Sequence, residues 1–181
     1  MLPTEILRHE HQLILMVLDA AEREARTIAG GGVADADRLT AFVDFIREFA
    51  DHCHHAKEED LLFVRMGEKG FPLQGGPVAV MLHEHELGRA HVKAVADNIA
   101  GAAAGVAAAR TVVVEHLAAY AALLRQHISK EDNILYPMAD QIFSEADQTA
   151  LAADFERVER DEIGEGVHQR YAALARELAG G

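Results

Sequence analysis

The chain has 181 residues, half of them hydrophobic, with 17 basic against 30 acidic residues and a formal charge of −13. That length makes one domain with room for a core the default. The acidic balance disfavours phosphate backbones and anionic membranes as partners, and a single cysteine excludes an intrachain disulfide.

Four prolines, abundant alanine and no long apolar–polar alternation favour helix over strand. A first helix is predicted over about 4–29, stopped by Gly30-Gly31-Gly32, with Leu7, His11, Ile14 and Leu18 on one face. A second is predicted over about 36–66, with Asp35 or Asp37 near its cap. Its inward face includes Phe42, Ile46, Phe49 or Ala50, then His54, Glu58 and Leu61. The segment 67–77 holds four Gly and two Pro and reads as a connector. The third helix starts near Pro77, a residue suited to a first turn, and ends around 101–105. Met81, His85, Gly88, Val92, Val95 and Ile99 form its apolar stripe. The fourth runs to about Tyr136, where Pro137 ends or kinks it. Val113, His116, Tyr120 and Leu123 share its face with His127, Glu131 and Ile134. Ser144 with Asp147 forms a capping box that opens a C-terminal helix. That helix is expected to break at Gly164-Glu165-Gly166, to resume to about Leu178, and to pack on the rest as an appendage.

Apolar runs are interrupted by charges short of the ~20 residues that span a bilayer. Glu5 comes early and no basic segment precedes an apolar one, so a signal peptide is not expected. A soluble cytoplasmic protein is the simplest expectation.

The chain repeats itself. Cys53-His54-His55-Ala56-Lys57-Glu58-Glu59 returns 73 residues later as Gln126-His127-Ile128-Ser129-Lys130-Glu131-Asp132. The shared core is H-x-x-K-E. Upstream, Leu7-Arg8-His9-Glu10-His11 resembles Met81-Leu82-His83-Glu84-His85 at an offset of 74. Two copies of a helical hairpin make an all-α, up-down four-helix bundle the expected fold. A His and a Glu four apart share a helix face about 5–6 Å apart at Cβ, so both reach one metal ion.

Eleven histidines fall mainly in three clusters. The stripes turn His11, His54, His85, His127, Glu58 and Glu131 toward the core. Two carboxylates and four imidazoles there are costly without a partner, and bound cations remove that cost. Imidazole with carboxylate suits iron, manganese or zinc better than magnesium or calcium. His9 and His83 lie two residues before the expected ligands and point to the surface. His55 with Glu59 has ligand spacing too, but Ile128 and Asp132 replace them in the second copy, which places the pair just behind the ligands or at the rim. Cys53 reads as a small buried residue.

The order His, His-x-x-x-Glu, His, His-x-x-x-Glu resembles the hemerythrin-like family, in its HHE cation-binding branch. The segments CHHAKEEDLLF, HISKEDNILYP and VAVMLHEHELGRAHV carry the resemblance, which covers about 1–143; residues 144–181 form the appended C-terminal helix. It implies His11, His54 and Glu58 from one hairpin and His85, His127 and Glu131 from the other as metal ligands. It implies two irons bridged by the glutamates and an oxo or hydroxo group. The chain departs from oxygen-carrying hemerythrins: Arg89 stands where they have a second His. That disfavours reversible oxygen carriage and favours redox chemistry. The expectation is a diiron protein that binds or reacts with dioxygen, peroxide or nitric oxide, for sensing or detoxification. An iron storage or sensing protein, or a ferroxidase-like one, is the alternative, and iron–sulfur repair ranks below both. Partners are expected to be that small ligand, with no nucleic acid or membrane, in a monomer or weak homodimer.

Overall fold

The computed structural model describes residues 1–164 and 166–180, with the side chains of Glu162 and Ile163 excepted. Glu165 of the expected break and the terminal Gly181 lie outside the described residues. The described chain is helical, with no strand. Helix α1 spans Pro3–Ala29. Helix α2, Ala36–Phe45, continues through π-helical Ile46–His55 and Glu58–Leu62 into α3, Phe63–Glu68. Helix α4 is Gly76–Ala103. Helix α5, Ala107–Lys130, continues through a π-helical turn, Glu131–Leu135, into α6, Tyr136–Ile142. Helix α7, Glu145–Val158, passes through a further π-helical turn, Glu159–Ile163, and α8 is Val167–Gly180.

The ends follow local chemistry. Asp35 caps α2 by accepting from the Arg38 amide at 3.0 Å. Ser144 and Asp147 form the reciprocal capping box of α7. Helix α1 stops because Gly31 takes φ +92°, letting the Gly32 amide reach the Thr27 carbonyl and the Gly31 amide the Ile28 carbonyl.

Helix α1 packs on α5 and α8, α4 packs on α5 and α2, and α8 also reaches α2. Two apolar clusters form inside. One contains Ile14, Phe45, Phe49, Val92 and Leu124; the other contains Leu7, Leu62, Met81, Leu135 and Tyr136. Along each helix the predicted polar residues fall between the two: His11 between Leu7 and Ile14, and His85 between Met81 and Val92.

The π-helical turns correct two sequence-based placements. Leu61 and Ile134 were expected to face inward. Ile134 is instead 51 % exposed and Leu135 1 %, and Leu62 is fully buried while Leu61 is half-buried. A π turn holds one extra residue, so everything after Glu58 and Glu131 shifts by one position around the helix. The Phe63 amide bonds the Glu58 carbonyl and the Tyr136 amide bonds the Glu131 carbonyl, five residues back in both copies. Nor does Pro137 end the run, which continues to Ile142 beyond the widened turn. By length and composition, 107–142 is the one helical run among the described residues able to cross a membrane. It carries His127 and Glu131 among its buried residues.

Candidate metal centre

The six residues expected to hold metal lie between the two apolar clusters, each no more than 1 % exposed. They form two groups. Ligating atoms of His11, His54, Glu58 and Glu131 lie within 4.8 Å of one another, as do those of His55, Glu58, His85 and His127. Glu58 belongs to both. Glu131 also touches both, with Oε2 3.3 Å from His11 Nε2 and Oε1 3.0 Å from His127 Nε2.

Every one of the four core imidazoles is fixed from behind by a carboxylate. Glu10 accepts from His54 Nδ1 at 2.9 Å and Glu84 from His127 Nδ1 at 3.0 Å. Asp132 accepts from His11 Nδ1 at 2.9 Å and Glu59 from His85 Nδ1 at 2.6 Å. A carboxylate only accepts, so the proton sits on Nδ1 and Nε2 is left to face inward. The lysine of H-x-x-K-E has a matching role. Lys57 Nζ donates to Glu10 at 2.5 Å, and Lys130 Nζ donates to Glu84. His54 and Lys57 favour the ionised form of Glu10, His85 and Arg89 that of Glu59, and Lys130 and His127 that of Glu84. Burial pushes these carboxyls up, but their His, Lys and Arg partners outweigh it and hold each below its ordinary range.

The inward atoms lack partners of their own. Glu58 Oε2 and both Glu131 oxygens are buried with no hydrogen bond among the described residues. His85 Nε2 and His127 Nε2 face each other at 3.0 Å. Neutral rings with Nδ1 protonated would meet lone pair to lone pair there. A cation between them relieves the repulsion and satisfies the orphaned carboxylate oxygens, so imidazole and carboxylate donors fit a transition-metal ion. Without metal, protons take that role. Burial and the nearby Glu131 push Glu58 well up, whereas His127 and His11 overcome burial and hold Glu131 well down. His11 is held up to about 9 because Asp132 and Glu131 outweigh burial. His54 is pushed down to about 4 by burial, which its bond to Glu10 only partly offsets.

The halves differ at two places. His55, expected either just behind the ligands or at the rim, is 5 % exposed, and its ring stacks on His85 at 3.8 Å between centroids. Tyr136 donates to Glu58 Oε1 at 2.5 Å, while Phe63, its counterpart, has no hydroxyl. The π turn puts Tyr136 on the site face. Arg89 bonds Glu59 at 2.8 Å and Asp51 at 2.7 Å, bracing the carboxylate behind His85.

Other residues fall outside both groups. His9 and His83 are exposed, as expected. His116 pairs with His91 at 2.9 Å. Cys53 is buried, and burial together with Glu10 pushes its thiol up to about 12. Near it, Glu10 and Glu159 already share the buried Lys57 ammonium, with His168 bonded to Glu159 at 3.0 Å.

Residues 2–139 match the family described as hemerythrin HHE cation binding domain. Over 167 residues the chain is 25 % identical to uncharacterized proteins of Mycobacterium bovis and Mycobacterium tuberculosis. The match covers 92 % of this chain, which spans 64 % of the length of those curated relatives. No solved structure matches it.

Proposed function

The chain belongs to the hemerythrin HHE cation-binding family, and from that premise we propose a non-haem diiron protein that binds or reacts with dioxygen, peroxide or nitric oxide. The observation that carries this reading is the pair of buried glutamates. Glu58 and Glu131 lie where the two donor groups meet, and three of their four oxygens have no hydrogen bond among the described residues. His11 and His54 would hold one iron and His85 and His127, with His55 beside them, the other, with Glu58 and Glu131 available to both. Iron held there supplies redox change and open coordination positions for an oxygen-based ligand.

The chain's own residues set the conditions. The four outer carboxylates fix the imidazole tautomers and orientations. The Tyr136 hydroxyl donates into the site at Glu58 and offers a proton beside it. The two apolar clusters exclude water from either end. We read the four long helical runs, α1, α2–α3, α4 and α5–α6, as an up-down bundle of two similar hairpins. The short connections 30–35 and 104–106 support that arrangement.

Elemental analysis of protein made in iron-replete medium tests the proposal. Two irons per chain are expected, with both lost in Glu58→Ala and in Glu131→Ala. A single zinc with no iron at full occupancy overturns it.

A further inference from the structure

A cavity of about 200 Å³ lies beside the second donor group, between the π-helical continuation of α2, α4 and α5. Its inner wall is His55 and His85. Its sides are apolar, formed by Ile46, Gly88, Val92 and Leu124. Arg47, which is exposed, and the Asp51–Arg89 ion pair stand at its polar edge. Tyr120 lines it as well. The residue is 2 % exposed, and its hydroxyl has no hydrogen-bond partner among the described residues. A buried phenol without an acceptor is costly, on the order of 1–3 kcal/mol, so it marks a place where an acceptor binds.

Gly88 keeps the cavity open. A Cβ there would meet Tyr120 Cε2 at 3.4 Å, and any longer side chain enters the space itself. The size exceeds what a diatomic molecule needs. A dry apolar cavity of about 150 Å³ already takes a molecule the size of benzene. Of the charged groups at the edge, Arg89 is already paired with Asp51, Glu59 and Glu86, and Arg47 is solvent-exposed, so the buried apolar wall offers no unpaired charge to recognise an ion.

We propose that this cavity binds a compact neutral organic molecule whose oxygen accepts a hydrogen bond from Tyr120, an alkyl hydroperoxide or the corresponding alcohol, and sets it against His55 and His85. The proposal rests on the metal-centre reading for its chemical consequence, but the cavity and its donor stand without metal.

The probe is tert-butyl alcohol, titrated into the protein as purified and followed by ligand-observed NMR and calorimetry, with metal content measured on the same samples. Saturable one-site binding is expected. Tyr120→Phe should weaken it about fivefold, the value of one neutral hydrogen bond. Gly88→Val should abolish it while metal content stays at the wild-type level. If Gly88→Val does not fold, Val92→Phe fills the same space and should do the same. Absence of saturable binding to the wild type overturns the proposal, as does binding unchanged in Tyr120→Phe and in the cavity-filling variant. Binding that follows this pattern in protein holding no iron supports the pocket and removes only the diiron reading. A parallel titration with tert-butyl hydroperoxide should show competition with the alcohol. Failure to compete also counts against the proposal.

Discussion

His55 and Ile128 occupy the same place in the two halves of the chain, and that mismatch is why the sequence left His55 out of the donor set. Repeat matching keeps residues that recur and discards those that do not. The stack on His85 and the burial at 5 % are visible only once the helices are packed. Lys57 and Lys130 show the opposite case. Their recurrence was legible, but their job of pinning Glu10 and Glu84 needed the first and third helices brought alongside. Removing one outer carboxylate leaves the metal donors in place but frees a ring. Glu59→Ala and Asp132→Ala should therefore retain metal sites with affinity lowered about 10–100-fold, measured by competition with a chelator. His55→Ala should weaken only the second metal, and Ile128→Ala neither. Metal binding should also be proton-linked. His11 holds a proton up to about 9 in the metal-free protein, so metal must displace it, and affinity should rise as pH climbs from 6.5 toward 9. The same raised value stabilises the metal-free fold fully below 6.5 and is lost as pH passes through about 9. On the acid side, His54 refuses a proton until about 4 while the unfolded chain accepts one near 6.5, so its contribution weakens the fold as pH falls between those values. Denaturant titrations of chelator-treated protein across pH 4 to 9 check both arms, and the His11→Gln variant should lose the alkaline one.

At the scale of elements, helix existence and most boundaries were legible because caps, glycine stops and apolar spacing are local. The π-helical turns were not. No residue signature separates Glu58–Leu62 or Glu131–Leu135 from ordinary helix, and the widened turn is set by what the side chains on either side must reach. Its consequences are specific: Leu135 in place of Ile134 turns inward, and Tyr136 comes onto the site. Truncation reads that register directly. Leu135→Ala should cost about 2–5 kcal/mol of stability, and Ile134→Ala no more than about 0.5 kcal/mol. Urea unfolding curves that rank the two the other way would mean that the helix runs through without the extra residue.

The whole molecule places buried ionisable groups between two apolar clusters, an arrangement that is poor in the absence of a cation. Six donors expected from sequence lie together in the structure, each at most 1 % exposed. Three of their four carboxylate oxygens have no hydrogen bond among the described residues. A ligand that binds only the folded form stabilises it by mass action. Iron should therefore raise the melting temperature and chelation should lower it, with the shift growing with free metal concentration. Equal melting points would mean that the six residues satisfy one another as ordinary core polar groups.

The most direct test of the proposed two-metal centre is anomalous diffraction at the iron edge from crystals of iron-loaded protein. Two peaks are expected, one beside His11 and His54 and one beside His85 and His127, with Glu58 and Glu131 between them. A single peak, or none within reach of the two glutamates, would contradict a two-metal centre.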